Sequence, residues 1–126
     1  MTKRLRFALA GVVFVAALGL NACDMRAQAD GVSPAQDAIN QAFGPIADQA
    51  TRVADCESGM DPNAISSGGG NYGLFQINYV HSDAFQAFTG QPYHDGALDP
   101  YANAAYAKHL YDESGGWGPW SCRWAA

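Results

Sequence analysis

Positive charge is scarce in this sequence. Seven of the 126 residues are Lys or Arg, against twelve Asp or Glu. From Asp30 onward, three basic residues (Arg52, Lys108, Arg123) face eleven acidic ones, a balance of about −8. No stripe of Lys and Arg is present to neutralise phosphates, so nucleic acid is excluded as a partner. Long apolar runs are missing too. The longest, Phe7 to Leu20, is about 14 residues, short of the roughly 20 that span a bilayer as a helix. Histidine is sparse. His81, His94 and His109 are widely spaced, and none forms an i, i+4 pair around a Glu, so no metal and no cofactor is expected.

What is present at the start is an export pattern. Met1-Thr2-Lys3-Arg4-Leu5-Arg6 is basic, the apolar run follows, and small residues come after it. Two processing sites compete. Leu20-Asn21-Ala22-Cys23 resembles a lipoprotein box, which would make 1–22 the signal and attach the chain to a membrane through a lipidated Cys23. Ala27-Gln28-Ala29 is an A-x-A site that would make 1–29 the signal and Asp30 the first residue of a soluble protein. Either route predicts an exported protein of the cell envelope or the medium, and either removes Cys23 from the thiol pool. Cys56 and Cys122 then remain as an even pair, expected to be bridged outside the cytoplasm. The bridge would close a loop of 66 residues and contribute on the order of 4 kcal/mol. Residues 30–126 form one domain, expected to be a monomer. A domain this small buries proportionally little surface, so such a staple matters.

Cap chemistry marks the helices. Ser33-Pro34 starts one that runs to Phe43, where Gly44-Pro45 breaks it. A second is expected from Pro45 to Ser58, ended by Gly59 and the Asp61-Pro62-Asn63 turn. Ser66 to Tyr72 is Gly-rich and able to approach a ligand closely. Gly73 to Asn78 reads as either a short strand or a buried helical turn. Ser82 is expected to cap a brief helix to Phe88. Asp99-Pro100 opens a helix to about Ser114, with Ala102, Ala105, Tyr106, His109 and Leu110 on one face, and Gly115-Gly116 stops it. Phe75, Ile77, Leu110 and Trp124 are expected in the core.

One residue stands out on the second helix. At 3.6 residues per turn, Ile46, Ala50, Val53 and Ala54 share a stripe, and Glu57 falls within about 20° of Ile46. Burying an unpaired charge is costly. A carboxyl on an apolar stripe is therefore pushed toward its protonated form, the state a general acid needs. The same Glu at a frayed helix end, turned to solvent, is the other reading that helix geometry alone leaves open.

The surrounding residues resemble a known family. Cys56-Glu57-Ser58-Gly59-Met60-Asp61-Pro62-Asn63-Ala64, then Asn71-Tyr72-Gly73-Leu74-Phe75-Gln76-Ile77-Asn78, then Ala104-Ala105-Tyr106-Ala107, look like the blocks of the soluble lytic transglycosylase (SLT) family of the lysozyme superfamily. The likeness covers roughly residues 45 to 124. Asp61 departs from it, since Asn or another polar residue usually stands there. Cys56 directly before the Glu, with the late Trp-x-x-Trp-x-Cys, is similar to small actinobacterial wall-lytic domains, resuscitation-promoting factors among them. The segment Asn71 to Asn78 also resembles animal-type lysozymes.

The resemblance implies an α+β, mostly helical lysozyme-like domain with a short hairpin or loop beside a cleft. It also implies cleavage of the β-1,4 bond between N-acetylmuramic acid and N-acetylglucosamine in peptidoglycan strands, with Glu57 as catalytic acid. In the transglycosylase branch one Glu suffices, and the products carry 1,6-anhydromuramic ends. A muramidase would need a second carboxylate. Asp61 and Asp83 are available but read as turn and helix-start residues. A non-catalytic wall-binding lipoprotein on the same scaffold is the alternative outside enzymes. Ser58 and Tyr106 are candidates to hydrogen-bond Glu57, and Gln76 and Asn78 to bind N-acetyl or hydroxyl groups. Tyr72 and Trp117 either stack on sugar rings or belong to the core.

Overall fold

The computed structural model describes residues 31–126. The expected export signal, both candidate processing sites and Cys23 lie outside the described residues.

The first helix, α1 (Pro34–Phe43), starts as its sequence dictates: the Ser33 side chain accepts the Gln36 N–H, and Pro34 fills the first helical position. Its Ala35, Ala38, Ile39 and Phe43 face inward. Gly44-Pro45 does not simply break the chain. Residues Gly44–Ile46 form a 3-10 turn, and α2 (Ala47–Ser58) begins two residues later than Pro45. Pro45 donates no backbone hydrogen bond, so a tight turn suits it better than a longer helix. α2 ends at Gly59, which takes a left-handed conformation.

The ambiguous stretch resolves into a small hairpin. β1 (Asn71–Tyr72) pairs antiparallel with β2 (Ile77–Asn78), in register Asn71↔Asn78 and Tyr72↔Ile77. Ile65 adds a bridge to Tyr72. A 3-10 turn, Tyr79–His81, leads into α3 (Ser82–Thr89), so Ser82 is the first helical residue and makes no cap bond, unlike the cap expected of it. A one-turn helix, α4 (Tyr93–Gly96), carries no cap signature, and sequence patterning does not announce it. The last helix, α5 (Pro100–Ser114), opens on an Asp99 cap that accepts the Tyr101 N–H and stops at left-handed Gly115.

α5 runs through the middle of the domain. Ala102, Asn103, Ala104, Tyr106, Ala107 and Leu110 are all buried, more of its circumference than one amphipathic stripe. α1 and α3 both pack on it, with α2 against α1 and α4 against α3. Small alanines let these helices approach closely, while aromatics fill the space between them and the hairpin. Phe43 stacks on Trp117 at 5.4 Å and packs on Phe75 at 5.2 Å, and Trp120 meets Trp117 at 5.2 Å. Each fully buried side chain of this size contributes on the order of 2–3 kcal/mol of transfer free energy.

Phe75, Ile77 and Leu110 are buried as expected, but Trp124 is 77% exposed. The space near the tail is already filled by Trp117 and Trp120. The 3-10 turn Arg123–Ala125 lies along the outside of α2, which leaves the Trp124 indole facing solvent.

Candidate active site

Glu57 sits on the last turn of α2, half-buried. One of its carboxyl oxygens accepts the backbone N–H of Cys122 at 2.9 Å. The other has no hydrogen bond among the described residues and is not sealed from solvent. The acid is therefore gripped on one side and open on the other. Cys56, its neighbour in the chain, is bonded to Cys122, with Cα atoms 6.0 Å apart. The expected disulfide is present in the structure.

The tail that supplies this N–H docks down one face of α2. Trp117 donates its indole N–H to Gln49 Oε1 at 3.2 Å, Arg52 Nε donates to the Ala125 carbonyl at 2.9 Å, and Cys56 holds Cys122. Positions 49, 52 and 56 recur at spacings of three and four, so they share one side of the helix.

The hairpin turn beside the helix end is held by side chains from all around it. Ser58 Oγ lies 3.0 Å from the Ala54 carbonyl in its own helix and 2.7 Å from the Leu74 carbonyl. Asn103, fully buried on α5, accepts the Phe75 N–H at 2.8 Å and donates to the carbonyls of Tyr72 at 3.0 Å and Ala97 at 2.8 Å. Trp120 donates its indole N–H to the Phe75 carbonyl at 3.1 Å, and Tyr93 its hydroxyl to the Ile77 carbonyl at 2.6 Å. Burial of the Tyr93 phenol, with Tyr72 adding to the effect, pushes it up to about 12, so it remains a donor throughout the neutral range. Gly73 is required where it stands. Its φ is +76°, and a Cβ there would overlap the Ala97 carbonyl.

The remaining sequence candidates separate. Gln76, at φ 49°, points its amide N–H groups to the carbonyls of Ala64 at 3.1 Å and Gly73 at 3.0 Å, and its side-chain oxygen has no hydrogen bond among the described residues. Asn78 is exposed. It donates to Asn71 Oδ1 at 2.9 Å and accepts the Val80 N–H at 3.0 Å. Tyr72 is half-buried against Tyr93 and His94, at 5.2 and 5.3 Å between ring centroids. Trp117 belongs to the core. Neither Ser58 nor Tyr106 is hydrogen-bonded to Glu57. The Tyr106 ring lies among His81, Phe85, Phe88 and His109. Burial first, then the charge of Glu113, raises its phenol above the usual value. Asp61 accepts the Asn63 N–H at 2.9 Å in its own turn, and Asp83 stands in the first turn of α3.

Three contributors lie outside the sequence candidates for binding and catalysis. The Cys122 N–H is a backbone group and carries no side-chain signature. Tyr93 lies on the unannounced α4. Asn103 does carry a signal, a lone amide within an alanine-rich helix face.

A helix-end carboxylic acid, tied through its neighbouring serine to a braced hairpin and surrounded by packed helices, defines a lysozyme-like architecture. The lysozyme-like domain family matches residues 35–122, and the chain belongs to it. It is a family of glycan-cleaving enzymes that act on peptidoglycan. No curated protein and no solved structure matches the chain. Among the described residues, no helix is long and apolar enough to cross a membrane.

Proposed function

We propose that the protein is an exported lytic transglycosylase that cleaves the β-1,4 bond between N-acetylmuramic acid and N-acetylglucosamine, with Glu57 as its single acid and base. The observation that carries the reading is the division of labour on one carboxyl group: one Glu57 oxygen is held by the Cys122 N–H and the other is open. In the first step, Glu57 gives its proton to the glycosidic oxygen as the bond from that oxygen to muramic C1 breaks. The substrate's own N-acetyl oxygen stabilises the cation left at C1. In the second step, the 6-hydroxyl of the same sugar attacks C1 and gives its proton to Glu57. A 1,6-anhydro ring closes, the acid is restored and no water is consumed.

No second carboxylate takes part. Asp61 is engaged in its turn and Asp83 serves the start of α3. Ser58 holds the Glu57 helix end against the hairpin rather than touching the acid. The free side-chain oxygen of Gln76 accepts an N-acetyl N–H, Asn78 offers its amide to sugar hydroxyls, and Tyr72 stacks on a sugar ring. Tyr106 supports the wall of the site through its packing.

Product analysis tests this. Mass spectrometry of muropeptides released from purified peptidoglycan should find ends one water lighter than reducing ends, and Asp61→Asn and Asp83→Asn should each keep substantial activity. Reducing ends alone, with one Asp variant inactive, would make the protein a two-carboxylate muramidase. No released fragments at all would favour a wall-binding protein on the same scaffold.

A further inference from the structure

We infer that Cys122 is a positioning residue, whose backbone N–H, fixed by the disulfide to Cys56, decides which oxygen of Glu57 carries the reacting proton. The inference rests on Glu57 being the acid.

A glutamate side chain turns about several bonds, and on the last turn of a helix no following turn confines it. Here two links converge on it. The N–H of Cys122 lies 2.9 Å from Oε1, and the disulfide joins Cys122 to Cys56, the residue covalently next to Glu57. Donor and acceptor are thus the two ends of a small covalent circuit, and one cannot drift from the other by more than the circuit allows. The rest of the tail is anchored independently, by Arg52 to Ala125, Trp117 to Gln49 and Trp120 to Phe75. Cutting the disulfide therefore loosens the donor locally without releasing the tail.

The chemistry follows from the donor's nature. An N–H can only donate, so the oxygen facing it cannot direct a proton toward it. The acidic proton is confined to Oε2, the oxygen that is open among the described residues. The same oxygen then receives the proton of the attacking 6-hydroxyl. A neutral backbone donor also suits a group that cycles between acid and carboxylate, because it accepts both forms without a proton of its own to lose. Positional errors of about an ångström in such a group cost on the order of a hundredfold in rate.

Cys122 lends itself to a clean test. Its N–H has no other acceptor among the described residues. Two proteins isolate the bond. Cys56→Ala with Cys122→Ala removes the tether and keeps the N–H, whereas the same pair with an ester in place of the amide between residues 121 and 122, made by semisynthesis, removes both. On soluble glycan-strand oligomers, kcat should fall several-fold in the first. It should fall at least about another tenfold in the second, with KM unchanged and the two melting temperatures alike. Equal kcat in the two proteins would overturn the inference while leaving Glu57 as the acid. Retained turnover in Glu57→Gln would overturn the acid itself.

A measurement on the intact protein needs no folding of a variant tail. In ¹⁵N-labelled protein, the Cys122 amide proton should move as Glu57 is titrated with acid, and the movement should vanish in Glu57→Gln. A Cys122 amide insensitive to that titration would also overturn the inference.

Discussion

Ser58 and Leu74 join the helix that carries the acid to the hairpin turn: the Ser58 hydroxyl sits 2.7 Å from the Leu74 carbonyl, sixteen residues on. The contact follows from the helix ending where it does, since Gly59 turns the chain away at φ 66° and leaves the last-turn hydroxyl facing the turn at residues 73–76. Ser58→Ala deprives a buried residue's carbonyl of this partner, at a cost of about 1 kcal/mol or somewhat more. For a domain of this size that is a fall in Tm of roughly 4–8 °C. Activity should fall further than stability alone explains, because the helix end loses its registration on the hairpin. A Tm and turnover both equal to wild type would show the contact to be idle.

Asn103 replaces a backbone ladder inside the domain. Its amide serves the Phe75 N–H and the carbonyls of Tyr72 and Ala97, and Phe75 and Ala97 are fully buried. Asn103→Leu is close in size and abolishes all three bonds, so urea unfolding should report a loss of roughly 3–5 kcal/mol. That is a large part of the 5–15 kcal/mol typical of a whole domain. A loss below about 1 kcal/mol would mean that the turn finds other partners.

Gly73 and Gly68 make a contrasting pair. Gly73→Ala places a methyl group on the Ala97 carbonyl at a positive φ and should prevent the turn from closing, with little soluble folded protein. Gly68 has ordinary φ and open space around it, so Gly68→Ala should leave Tm unchanged or raise it by up to about 4 °C. Equal behaviour of the two variants would contradict the packing described.

The local rules that govern helix ends are legible in the sequence. Ser33-Pro34 and Asp99-Pro100 cap where they should, and Gly59 and Gly115 stop their helices, because capping needs only residues a few positions apart. Glu57 and its hairpin are legible through the family likeness of residues 56–64 and 71–78. What escapes depends on distant packing. Whether Trp117, Trp120 or Trp124 enters the core is decided by how the tail docks along α2, and residue types alone do not distinguish the three. The Tyr93–Gly96 helix is too short to show a period. The partner of Glu57 is a peptide N–H that any residue but proline would supply.

The Cys56–Cys122 bridge should leave no alkylatable thiol among residues 31–126 in oxidised protein, as intact-mass measurement can check. Cys56 is exposed, so reductant can reach the bond. The chain-entropy estimate of about 4 kcal/mol for a 66-residue loop predicts a marked fall in Tm on reduction. Native material with two free thiols would contradict the structure.

Tyr93 gives the protein an alkaline limit. Its phenol is raised to about 12 from an ordinary 10, chiefly by burial, so the folded state keeps this proton over a range where the unfolded chain loses it. The contribution is complete below pH 10 and is lost as the pH rises from 10 to 12. Unfolding free energy should fall more steeply across that window in wild type than in Tyr93→Phe, although the variant starts lower for want of its bond to the Ile77 carbonyl. Parallel slopes would contradict the assignment.

Glu57→Gln tests the acid itself. Glutamine keeps the shape of the side chain and can still accept the Cys122 N–H through its carbonyl oxygen, but it has no proton to give at Oε2. Turnover of purified peptidoglycan by the folded variant, measured beside wild type at equal Tm, should fall at least about a hundredfold. Near-wild-type turnover in Glu57→Gln would mean that Glu57 is not the acid.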